Sequence, residues 1–251
     1  MFQILALTVQ AKHKMRCLKT GHHKVVHSPE NVDDMGLCKP WSENSCCSAE
    51  AAKFISNPGD YYIHNVLFNQ CPSHGNLSDE CKLYFMLDSC FYHCGSIFLP
   101  WTTQFSYNNS ITEVLRGIPL CSSDCDSWYD ACKNDYTCST TWYSNSFGTV
   151  NGTPVCQMEC KRFKDYHPNS KQFCESIFQG MFKYSNGGDR CCMKLKYESI
   201  DDNLKCAHIY SEDYSITYGK MTKCTFAMFL FAVVAIFILA LISNFLILLC
   251  L

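Results

Sequence analysis

Eighteen of the 20 cysteines in this chain fall between Cys17 and Cys206. That is close to one residue in ten, the density of secreted domains stapled by disulfides. A reducing cytosol would leave such residues as free thiols, so the region is expected outside the cell or in the secretory lumen. The even number permits full pairing. The spacing is equally restrictive. No two cysteines are separated by two residues, which removes thioredoxin-like redox motifs, c-type haem attachment and paired zinc modules. Instead C-x-x-x-C occurs three times, at Cys90/Cys94, Cys121/Cys125 and Cys156/Cys160. Residues four apart share one face of a helix, so such a pair can staple one helix to two different neighbours. Disulfides are therefore expected at these positions, and no metal site.

The net charge of -2 offers no polybasic surface for nucleic acid. No G-x-S-x-G, H-E-x-x-H or glycine-rich phosphate loop is present, and full pairing would leave no thiol in this region for nucleophilic work. No enzymatic activity is expected, and no cofactor is implied.

Residues 225–251 carry no charge and are long enough to cross a bilayer. Lys220 and Lys223 precede this run, which opposes the positive-inside rule for a span with its N-terminus outside. A GPI-attachment signal resolves the conflict, with Ser211, Ser215 and Gly219 as attachment candidates; a retained transmembrane helix is the alternative. The start has no basic n-region, and its apolar run is only about eight residues. The expected organisation is a weak or truncated signal segment (1–15), one disulfide-rich domain (16–207), a polar spacer (208–224) and the hydrophobic segment (225–251). Glycosylation sequons begin at Asn76, Asn108 and Asn151.

Within the domain, Ser78 reads as an N-cap, followed by Asp79 and Glu80 and an apolar run. On that helix Cys81, Phe85, Asp88 and Tyr92 form one stripe, with Cys90 and Cys94 on another. A second helix is expected over Ser123 to Asn134, capped by Ser123, with Cys125, Trp128 and Cys132 inward. A third is expected over Lys171 to Lys183. The fold class is disulfide-rich, mainly α with short β-strands, in a single globular domain.

Order and spacing then become specific. "SPE" at Ser28 is followed by "CKPWSENSCC" at Cys38, "CFYHC" at Cys90, "IPLCSSDCDSWYDACKNDYTC" at Ile118 and "TTW" ending at Trp142. This resembles the folate receptor and riboflavin-binding protein family over about Cys17 to Met193. The resemblance implies the pairs Cys17–Cys46, Cys38–Cys90, Cys47–Cys94, Cys71–Cys160, Cys81–Cys132, Cys125–Cys174 and Cys138–Cys156. It leaves open whether Cys121 takes Cys191 or Cys192, the other joining Cys206.

The family stacks a flat heterocycle between two aromatic rings, and matching rings here are Tyr92 and Phe178. Asp88 matches the aspartate with which folate receptors grip the pterin, and it lies one helical turn from Tyr92. Trp142, Tyr62, His64 and Phe182 complete the implied ligand-binding set. There are departures. The two arginines of a folate receptor stretch are absent from Ser110–Val114, "WYSNSFG" keeps only Trp142 of a tryptophan-rich loop, and Met181 replaces a pocket serine. His22, His23, His64 and His93 are expected to be mostly solvated. The implied function is a cell-surface receptor, membrane-attached, for a folate- or riboflavin-like vitamin. The alternative is adhesion to a protein partner, as in Juno, an egg-surface relative that acts in sperm–egg adhesion.

Overall fold

The computed structural model describes residues 15–57, 70–107, 110–142, 147–150, 153–186, 188, 190–196 and 199–212. Residues Met1–His208 form one compact unit and Ile209–Leu251 a second. Of the second, residues 209–212 are described and are helical.

The first unit opens with two 3₁₀ segments, Val32–Asp34 and Gly36–Asn44, followed by helix α1, Ala49–Ser56, capped by the Ser48 hydroxyl on the Ala51 N–H. Helix α2, Asp79–Cys94, is the longest of the first unit's described helices. Ser78 caps it on the Cys81 N–H and donates its own hydroxyl to Asp135 Oδ2 at 2.7 Å, so the start of α2 is tied to a distant loop. It ends at Gly95, where a Cβ would lie 2.1 Å from the Phe98 ring and 2.6 Å from the Phe91 carbonyl. Only glycine fits that close approach. A hairpin follows, β1 (Thr102–Tyr107) against β2 (Ser110–Leu115). Next come β3 (Ile118–Cys121), α3 (Ser122–Cys132), β4 (Tyr136–Thr137), β5 (Phe147–Val150), β6 (Thr153–Cys156), β7 (Lys161–Arg162), α4 (Phe163–Tyr166), α5 (Ser170–Ser176) and β8 (Phe182–Ser185). The strands form two-stranded sheets. β4 and β7 pair antiparallel, as do β5 and β6, whereas β3 and β8 run parallel in the register Ile118↔Phe182. A helical segment from residue 201 carries Cys206. The fold is thus disulfide-rich, mainly helical with short strands, in agreement with the expected class.

Two expected helices are corrected. The second begins at Ser122, not Ser123, and no side chain caps it. Its first N-terminal neighbour, Cys121, is already the last residue of β3, and Ser123 turns its hydroxyl to Asp124 instead. The third stops at Ser176 instead of continuing to Lys183. Gln179 and Gly180 take the left-handed conformation, φ 51° and 80°, which breaks the helix. The Gly117 and Ile118 N–H groups then bind the Gly180 and Met181 carbonyls, drawing the chain into the parallel strand pair.

Nine disulfides join Cys17–Cys46, Cys38–Cys90, Cys47–Cys94, Cys71–Cys160, Cys81–Cys132, Cys121–Cys192, Cys125–Cys174, Cys138–Cys156 and Cys191–Cys206. The open choice is thereby resolved: Cys121 takes Cys192. Each C-x-x-x-C sends its sulfurs to two different partners. Only Cys90 and Cys94 lie together on one helix, however; Cys156 ends a strand and Cys160 lies in a loop. The sulfurs of Cys71, Cys156 and Cys160 lie within 4.8 Å of one another. They belong to two adjacent bridges, so none is available to a metal ion. Among the described residues no helix is long and apolar enough to cross a membrane; the segment 225–251 lies outside them.

Candidate functional site

Helix α2 presents its chemistry on one side. Phe85, Asp88 and Phe91 follow at three-residue steps, so the carboxyl is flanked on the helix surface by two rings. All three are buried. The ring of Phe85 meets Phe178 at 6.3 Å, nearly perpendicular, and that of Phe91 meets Phe182 at 5.8 Å. Phe178 and Phe182 stand on either side of the Gln179–Gly180 turn. Trp128, from α3, touches Phe85, Phe178 and Phe182 at 5.1, 6.2 and 6.3 Å and is fully buried. Cys81–Cys132 and Cys125–Cys174 lock α2 to α3 and α3 to α5 behind these rings. The two helices that carry Phe85, Phe91 and Trp128, and the helix that leads into Phe178, are thus held by covalent bonds as well as packing.

Asp88 is 3% exposed, and its Oδ1 has no hydrogen-bond partner. No cation is paired with it among the described residues. Burial therefore pushes its pKa well above the ordinary carboxylate value and favours the neutral acid. A neutral carboxyl carries one O–H donor beside its acceptor oxygen. In an apolar setting an unmet group of this kind costs about 1–3 kcal/mol.

Tyr92, one turn beyond Asp88, is half-buried. Its ring meets His23 edge-on at 5.2 Å, and the His23 ring stacks on His93 at 5.6 Å. His23 Nε2 lies 3.0 Å from the Tyr92 carbonyl, which can only accept, so Nε2 carries the proton. His23 Nδ1 then accepts from the Thr20 hydroxyl at 2.5 Å, whose oxygen accepts in turn from the His22 N–H. Burial lowers the His23 pKa and keeps the ring neutral. Of the histidines expected to be mostly solvated, His22 is exposed, His64 lies outside the described residues, and His23 and His93 are half-buried, with His23 clamping the end of α2. No spacing in the sequence pairs residues 23 and 92, which lie 69 apart.

Of the implied ligand-binding residues, Phe178, Phe182 and Trp142 meet Phe85 or Trp128, and Asp88 lies buried one turn beyond Phe85 on α2. Trp142 is buried and stacked on Phe85 at 3.8 Å and 7°, with its indole N–H donated to Thr137 Oγ1 at 3.1 Å. Phe178 is half-buried, and Phe182 is fully buried. Tyr62 and His64 lie outside the described residues. Asn76 is exposed just ahead of α2; Asn108 and Asn151 lie outside the described residues.

Disulfides thus brace a cluster of buried rings on the helix that also carries a buried acid. The folate receptor family matches residues 16–194, and the chain belongs to that family, one of receptors and binding proteins and not of enzymes. Among its relatives, human folate receptor gamma is 32% identical over 127 residues, covering 51% of this chain and 49% of the relative. Human folate receptor alpha is 34% identical over 131 residues, covering 51% and 47%. The riboflavin-binding protein of Dromaius novaehollandiae is 34% identical over 136 residues, covering 54% and 53%. The chain thus spans about half the length of the curated relatives it matches.

Proposed function

We propose that this chain is a cell-surface receptor for a small, flat heterocyclic vitamin of the folate or riboflavin type. The observation that carries the reading is the buried, unpartnered Oδ1 of Asp88 between two aromatic rings of α2. A ligand N–H donor would meet that oxygen, and the cost of leaving it unmet would return as affinity. Tyr92 and Phe178 would take the two faces of the heterocycle, offset stacking adding about 0.5–1.5 kcal/mol beyond area burial. Trp142 and Phe182 would back the site through Phe85 and Phe91, which they contact, and Tyr62 and His64 would be further ligand contacts. The relatives named as folate receptors and riboflavin-binding proteins support this class of guest.

The disulfides support an oxidising, extracellular setting, and the hydrophobic segment 225–251 would attach the domain to a membrane there, through a GPI anchor or as a helix. Release of the protein from intact cells by a phosphatidylinositol-specific phospholipase would support the anchor; retention would support the helix.

Titration of the purified ectodomain with folic acid and with riboflavin, followed by tryptophan or flavin fluorescence, tests the receptor reading. Saturable quenching by one compound, weakened at least tenfold by Asp88→Asn, is expected. No saturable change with either would overturn it. Binding to a cell-surface protein that excess vitamin does not alter would then favour adhesion.

A further inference from the structure

The ring of Phe178 belongs to a segment that must leave helix α5, reverse, and enter β8 within five residues. The reversal is made at Gln179 and Gly180, both left-handed, at φ 51° and 80°. Glycine takes that conformation freely, whereas glutamine does so at a cost. Gln179 is also the one described non-glycine residue with positive φ. Something must hold it there, and the neighbouring turn supplies the contact. The chain between β2 and β3 runs beside it, and Gly117, itself at φ 70°, donates its N–H to the Gly180 carbonyl at 2.9 Å. Ile118 donates to Met181 at 2.9 Å. Arg116, one residue earlier, is pinned by its own N–H on the Trp101 carbonyl at 2.9 Å and reaches with Nη1 to the Gln179 carbonyl. The guanidinium thus meets the carbonyl of the strained residue directly after Phe178.

We infer that Arg116 is a positioning residue for the binding site: its guanidinium holds the Gln179 peptide in the left-handed conformation and thereby fixes the Phe178 ring against Phe85 and Trp128. The inference rests on the reading of Phe178 as a wall of that site. Mechanistically, a charged donor on the carbonyl selects the peptide orientation that only the left-handed turn provides. Without it the chain between Ile177 and Met181 can relax, and the ring loses the fixed tilt that stacking requires. Arg116 is partly exposed and lies outside the aromatic cluster, so its contribution would be to geometry more than to the core.

A double-mutant cycle tests this. Arg116→Ala should accelerate amide hydrogen exchange at Gly117 and Ile118 several-fold while leaving the amides of α2 unchanged. For whichever of folic acid or riboflavin binds the wild-type protein, it should weaken binding roughly threefold to tenfold, the scale of one exposed hydrogen bond. Gln179→Gly adopts the left-handed conformation without help, so in that background Arg116→Ala should change neither exchange nor affinity by more than about twofold. A merely structural arginine would not be rescued by a glycine at residue 179. Unchanged exchange at Gly117 and Ile118 in Arg116→Ala, or an effect undiminished by Gln179→Gly, would overturn the inference. If neither vitamin binds the wild-type protein, the receptor reading fails, and the exchange data still decide the role of Arg116 in placing the turn.

Discussion

A carboxyl buried among rings loses the water that would ionise it, and Asp88 is held neutral at a cost to the empty protein. Groups that destabilise their own fold are the ones a ligand can relieve, so stability and binding should move in opposite directions here. Asp88→Leu is expected to raise the melting temperature by about 2–6 °C in calorimetry at neutral pH, while abolishing vitamin-dependent stabilisation. His167 works in the opposite sense with pH. It is 1% exposed, and burial lowers its pKa to about 4 from 6.5. The Ser176 hydroxyl donates to the Gln172 carbonyl, so it accepts from His167 Nδ1 and leaves Nε2 bare. Between pH 6.5 and about 4 the unfolded chain binds a proton at residue 167 that the folded protein refuses, so stability falls as pH falls through that window. Denaturant unfolding at pH 7 and pH 4.5 should show a smaller acid loss in His167→Phe than in wild type; an equal loss would remove His167 as its source.

The helices begin and end where specific atoms allow. Ser78 was readable as the start of α2 because a serine followed by two acids satisfies the free N–H groups of a first turn. Its end was not, because the reason for Gly95 is a ring, that of Phe98, folded back over it. Gly95→Ala should displace Phe98 and with it the Phe91–Phe98 contact at 4.5 Å, costing about 1–3 kcal/mol in urea unfolding. A neutral result would mean that the loop yields without strain. The overrun of the third expected helix has the same origin. Local pattern favoured continuation through Phe178 and Met181, and the pairing of β8 with β3, more than sixty residues earlier, won.

At the scale of the whole molecule, disulfides cross between nearly all the elements that carry the site. Cys81–Cys132 spans 51 residues and joins the first turn of α2 to the last of α3. Replacing both cysteines by alanine should cost about 2–5 kcal/mol and loosen the Phe85–Trp128 contact, visible as lost near-ultraviolet dichroism. Full near-ultraviolet signal after that change would mean packing alone suffices. Much of this architecture could be read from the chain. Cysteine density excluded the cytosol, cysteine order pointed to the family, and the three-and-four spacing of Phe85, Asp88 and Tyr92 put them on one side of a helix, because helical period is a local property. The partner of Cys121 could not be read, since adjacent Cys191 and Cys192 are equivalent in any spacing argument and only the path of the chain beside β3 selects Cys192. Nor could the clamp of His23 on Tyr92, the isolation of the Asp88 oxygen or the reach of Arg116 to Gln179. Each depends on which surfaces meet after folding, and distance along the chain carries no record of that.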